Sequence, residues 1–232
     1  MTRKLNLLLL VATTIPSPSH AQTYQIEPSQ LVNIRCSTNN NNNKLPTPTY
    51  GDKHIIFTIC VEREIQAPIT QVYNTLLDFR LYSDWNSFVI DVQPSSSSSG
   101  NVEGEIPRGP APLGTKVKFI TRGLIGSLNT TSEEIVTVDQ KDIFSSSSSA
   151  EGTSSEGTAS RHAINAWRYD GVGQRAEHPN VLTDLGERGT RYVSFESYYG
   201  LLAPVTEVLK GKLKSAFEAQ ADDLKRFVEG GR

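Results

Sequence analysis

The chain has 232 residues, a formal net charge of −2 and 37 % hydrophobic residues. That length suits one domain, and nearly balanced charge supplies no long-range field to hold nucleic acid or an anionic membrane surface. The low hydrophobic share is local, because runs of Asn and Ser dilute otherwise ordinary segments and leave roughly 150–180 residues to fold.

Basic Arg3 and Lys4 precede the apolar run Leu5–Val11, and Ser19-His20-Ala21 places small residues around a cleavage point. Residues 1–21 therefore read as a secretory signal peptide, and the mature protein is expected outside the cell. It stays cytoplasmic if that segment is not cleaved or the start codon is misplaced. The run is too short to span a bilayer, and no other segment approaches that length, so no integral membrane span is expected. Residues 22–52 carry Asn39–Asn43 and then Pro46 and Pro48, too little apolar surface to offset ordering entropy, and are expected to form a disordered arm. Cys36 and Cys60 either pair, tying this arm to the first strand, or remain two thiols; their spacing leaves both states open. Asn129-Thr130-Thr131 is a glycosylation acceptor.

From Ile55 to Ile65 apolar residues alternate with Thr58, Cys60, Glu62 and Glu64, the pattern of a long half-buried strand. Pro68 opens a helix carrying Val72, Leu76 and Phe79 at helical spacing, and 82–86 forms a second short helical segment. Six more strands are read at 89–92, 115–120, 135–139, 163–169, 174–182 and 190–199, the last two joined through Gly186-Glu187-Arg188-Gly189. Serine-rich stretches near 94–104 and 145–160 fall between strands and read as expanded surface loops, which cost little closure entropy. From Pro204 to Gly230, Val205, Leu209, Leu213, Phe217, Leu224 and Phe227 recur at three- and four-residue intervals. They predict one amphipathic helix of about 26 residues, close to 40 Å long, with Gly211 as a weak point inside it.

Several local sequences carry a family resemblance. Glu64-Ile65-Gln66-Ala67-Pro68, Val72-Tyr73, Leu77-Asp78-Phe79, Tyr82, Trp85-Asn86 and Phe88-Val89 resemble the opening signature of the SRPBCC superfamily. Gly114-Thr115-Lys116-Val117, Ala166-Trp167-Arg168, Gly189-Thr190-Arg191-Tyr192, Glu196 and 198–204 are similar to its later strands and helix entry, within the polyketide cyclase/dehydrase-like or coenzyme-Q-binding-like branch. The resemblance spans 55–229 and implies an α+β helix-grip domain over 53–232. In that fold a seven-stranded curved antiparallel sheet encloses a long C-terminal helix and an apolar cavity.

The catalytic inventory is sparse. His20, His54, His162 and His178 are scattered, so no metal site is expected; no phosphate loop, dinucleotide fingerprint or nucleophile elbow is present, so no cofactor is expected. The resemblance turns certain strand faces inward: Asn165, Trp167 and Tyr169 on one strand, Tyr192, Glu196 and Tyr198 on another, and Phe119 on a third. Trp85, Leu213 and Phe217 complete the expected lining, suited to a lipid, polyketide or isoprenoid-like molecule. Glu196 on such a face either has a raised pKa or pairs with Arg191, Arg168 or a ligand hydroxyl. Two functions follow: a carrier or sequestering protein, the favoured reading, or a cyclase/aromatase in which Glu196, Tyr169 and His178 move protons. A surface-interaction scaffold using the serine loops is a third.

Overall fold

The structure is a computed structural model that describes residues 23–36, 44–95, 105–145 and 160–230. The signal segment, the asparagine run and most of both serine-rich loops lie outside the described residues. Seven strands are β1 (Ile55–Ile65), β2 (Val89–Pro94), β3 (Lys116–Ile125), β4 (Leu128–Ser145), β5 (Ser160–Gly171), β6 (Gln174–Asp184) and β7 (Thr190–Tyr199). They form one antiparallel sheet in the order β1-β7-β6-β5-β4-β3-β2, so the chain crosses to the far edge after β1 and meanders back to it. The helices are α1 (Ile69–Leu77), α2 (Tyr82–Trp85), α3 (Ala203–Glu207) and α4 (Lys210–Val228). The curved sheet wraps α4, which is the helix-grip α+β fold.

Local chemistry explains the main elements. β1 keeps Phe57, Ile59, Val61 and Ile65 buried, following its alternation. Pro68, with φ −59°, caps α1, whose Val72, Tyr73, Leu76 and Leu77 are buried at helical spacing. The Tyr82 hydroxyl donates to the Leu76 carbonyl at 2.8 Å and fixes α2 against α1. At the β6–β7 turn Gly189 has φ +89°, and a Cβ there would stand 2.2 Å from the Ile65 carbonyl oxygen, so no other residue fits.

Three expectations are corrected. The terminal helix is divided: α3 ends at Glu207 and α4 starts at Lys210, giving 19 residues in α4. Val205 and Val208 are 68 % and 84 % exposed, β-branched residues of weak helix propensity that gain little from burial. Gly211 consequently falls in the first turn of α4 and not in the middle of a helix. β4 begins at Leu128, seven residues before the predicted start, because polar Thr130, Ser132 and Glu134 alternate there on the concave face.

The third correction concerns the arm. Its described parts are ordered against the convex face of the sheet, where Leu31 and Val32 pack with Val138, Ile164, Ala166, Val181, Val193 and Phe195. Low-complexity composition concealed a few large apolar residues that need only one surface to bury against. Polar contacts pin the same layer. The Tyr24 hydroxyl donates to the Thr137 carbonyl at 3.0 Å, and Thr47 and Tyr199 share a buried hydroxyl contact at 3.0 Å. Cys36 and Cys60 form a disulfide with Cα atoms 5.5 Å apart. Closing a loop of 24 residues in this way is worth about 3 kcal/mol in the chain-entropy account. Covered on both faces, β6 is buried from Ala176 to Thr183.

Candidate functional site

A cavity of about 240 Å³ lies between the concave face of the sheet and α4. That is a little below the ~300–1,000 Å³ usual for drug-sized ligands. One wall is aromatic and continuous: Phe119 and Trp167 meet edge to face at 5.8 Å, Trp167 lies 4.8 Å from His178, and His178 stacks on Phe217 at 4.7 Å. Phe88, Val89, Leu124, Ala176 and Leu213 extend the apolar surface. Against it stand Glu134, Tyr169, Gln174, Glu196, Tyr198 and Gln220.

Strand alternation brings Phe119, Trp167, Tyr169, Glu196 and Tyr198 to this cavity, and helical spacing brings Leu213 and Phe217. Trp85, Asn165 and Tyr192 do not reach it. The Tyr192 hydroxyl donates to Asn180 at 2.8 Å, and the Asn180 amide donates to Asn165 at 3.0 Å, a buried chain within solid core. The strand face is the predicted one, but α1 packs over that end of β5 and β6 and fills the space. Trp85 packs against Tyr82 at 4.9 Å beside α1. Asn129, the glycosylation acceptor, is exposed near the start of β4.

Glu196 pairs with neither arginine considered for it. Arg191 lies on the convex side, 2.7 Å from Glu62, and Arg168 forms an ion pair with Asp170 at 2.7 Å. The period-2 alternation of a strand places Arg191 on the face opposite Glu196. The Glu196 partner is the Tyr198 hydroxyl, two residues along the same face. Burial pushes the Glu196 carboxyl up to about 7, with the Tyr198 hydrogen bond pulling slightly back. Burial, then the neighbouring Glu196 charge, holds Glu134 well above the usual carboxylate range against a hydrogen bond from Ser132. His178 bonds the Ser194 hydroxyl at 2.7 Å, and burial drives its pKa down to about 3, so it is neutral near pH 7. Glu134, Ser132, Gln174 and Gln220 escaped the sequence reading. The Thr130, Ser132, Glu134 alternation was the available signal for the first two.

Two expected results follow. Because folded Glu196 holds a proton that the unfolded chain releases above about 4.5, stability should fall as pH rises through the window from there to about 7. Glu196→Gln removes the penalty and keeps an acceptor for Tyr198. Urea unfolding should show it near wild type at acid pH and about 2–3 kcal/mol more stable near pH 8; equal stability at both would contradict the raised carboxyl. Phe217→Ala should cost only about 2–3 kcal/mol, since one side of its ring already borders empty volume. Phe195→Ala in the filled convex layer should cost about 3–5 kcal/mol. Equal losses would mean that Phe217 is ordinary core.

A family profile described as polyketide cyclase/dehydrase and lipid transport matches residues 57–229. Among solved structures, a START superfamily protein from Mycobacterium smegmatis is similar at 15 % identity and TM-score 0.46, covering 75 % of this chain and 97 % of that one. Major latex-like protein 151 of Panax ginseng is similar at 11 % identity and TM-score 0.46, covering 74 % and 96 %. A hypothetical protein of Helicobacter pylori is similar at 13 % identity and TM-score 0.49, covering 74 % and 87 %. No curated protein matches the chain. With the profile spanning β1 to the end of α4, this chain belongs to the polyketide cyclase/dehydrase and lipid transport family of the SRPBCC superfamily.

Proposed function

We propose that the protein binds one small, largely apolar molecule in the cavity between sheet and α4, as a carrier or sequestering protein. The observation that carries this reading is unfilled volume behind an aromatic wall, at the place where a closely packed domain would have core. The family's description, which includes lipid transport, agrees with it. Secretion belongs to the same proposal and is supported by the Cys36–Cys60 disulfide, a bond kept in oxidising compartments. A neutral apolar dye should bind the full chain at micromolar concentration and lose binding in Ala176→Phe, which puts a ring into the cavity. No binding to wild type, with the fold intact, would overturn the proposal.

One observation favours a second reading, a cyclase or aromatase. Glu196 sits near its neutral-pH midpoint beside Tyr198, in a cavity able to fold a reactive chain. On a polyketide chain, Glu196→Gln should then lower turnover by about 100-fold or more without unfolding the protein. A carrier would show a change in affinity only.

A further inference from the structure

The polar side chains around the cavity are unevenly matched. Gln220 lines it from α4 at 3 % exposure, and its amide nitrogen has no hydrogen-bond partner. A buried N–H donor is costly unless an acceptor reaches it, and the soft terminal torsion of the amide lets this one turn into the cavity. Gln174, at the start of β6, also presents its amide nitrogen, because its carbonyl oxygen accepts from the Thr206 hydroxyl. The carboxyls nearby are engaged elsewhere. Glu196 accepts from Tyr198, and Glu134 takes a hydrogen bond from Ser132. Burial pushes both toward the neutral form, in which a carboxyl adds an O–H donor of its own. What these side chains leave open is donors, and no described lining residue is Lys or Arg.

Resting on the binding reading above, we propose that Gln220 is a specificity-determining residue of the cavity, donating to an uncharged carbonyl-type oxygen of the bound molecule. A ketone or ester oxygen accepts from an N–H without bringing a charge into a desolvated space. A hydrocarbon leaves the amide unpaired. A protonated amine does the same, since it has no acceptor to offer. A carboxylate has acceptors, but its charge would find no cation on the described lining. The position of the anchor follows from its neighbours on α4: Phe217 packs 6.2 Å from Phe88, and Asp223 accepts from the Ser87 backbone at 2.9 Å. Gln220 lies between them, so the oxygen is directed to the side of the cavity where the chain enters β2. The apolar body then lies along the wall of Phe119 and Trp167.

Three naphthalene probes of one shape separate the outcomes: 2-acetylnaphthalene, 2-isopropenylnaphthalene, in which a methylene replaces the ketone oxygen, and 2-naphthoate. Each competes with a neutral apolar dye for the full chain near pH 7. The ketone should bind wild type at least about tenfold tighter than the carboxylate. Gln220→Met keeps the length of the side chain and removes the donor, and should lower the ketone-to-alkene affinity ratio by about tenfold. A second measurement needs no variant: the carbonyl stretch of the ketone bound to wild type should fall below its frequency in hexane. An unchanged ratio in Gln220→Met, or a bound carbonyl band at the hexane position, would overturn the Gln220 anchor. Carboxylate binding as tight as the ketone would overturn the uncharged oxygen. Both results leave the apolar-cavity reading standing, as does a bound dye that none of the three displaces, which overturns the anchor alone. If neither dye nor probe binds, the cavity reading falls with it.

Discussion

Removing residues 204–232 should abolish cooperative unfolding altogether. α4 buries Leu213, Phe217, Leu224 and Val228 inside the curve of the sheet, and Ala221 packs with them. At roughly 1.5–3 kcal/mol for each large side chain, these residues account for most of the ~5–15 kcal/mol by which a domain is stable. The helix also supplies polar anchors. Asp223 accepts from the Ser87 backbone at 2.9 Å, Arg63 bonds Asp222 at 2.7 Å, and the Gln71 amide donates to the Val228 carbonyl at 2.9 Å. Without α4 the concave face would expose its aromatic residues to water. The truncated chain should lack near-ultraviolet circular dichroism and show no sigmoidal urea transition. A cooperative transition in that chain would mean that the sheet and its convex layer suffice.

Glu177→Ala should be the most damaging single substitution on the convex side. Glu177 is fully buried in β6 and accepts three hydrogen bonds: from the Thr49 backbone at 2.8 Å, and from the Thr49 and Thr137 hydroxyls at 2.7 Å each. Removing the carboxylate strands three donors beneath the arm, each costing about 1–3 kcal/mol when left unsatisfied. With some relaxation of the arm the loss should total about 3–5 kcal/mol. Urea unfolding measures it, and limited proteolysis near Thr49 should accelerate in parallel. A loss below about 1 kcal/mol would show that the arm holds without this contact.

The two faces of the sheet explain what the sequence made legible. β1 and β7 could be bounded to the residue because each alternates between apolar and polar positions or carries a glycine turn at its end. The early part of β4 could not, because its inward positions Thr130, Ser132 and Glu134 are the polar side of a cavity and read as loop. The same cause concealed half of the site: aromatic lining announces itself by size and alternation, whereas Gln174 and Gln220 look like ordinary surface residues. Asn165 and Tyr192 failed for a different reason. Alternation selects a face, but only the packing of α1 decides which stretch of that face is filled. The arm defeated composition because Leu31 and Val32 are too few to form a periodic pattern, yet they suffice once a sheet surface is present.

The central claim, that the cavity exists to hold a small molecule, is tested most directly by native mass spectrometry of the protein purified from its native host. The spectrum should contain the folded chain with its disulfide intact and an added mass that is lost at higher collision energy. Organic extraction should then release an apolar compound. A spectrum holding only the bare chain, from protein that also fails to take up neutral apolar compounds at micromolar concentration, would contradict the claim.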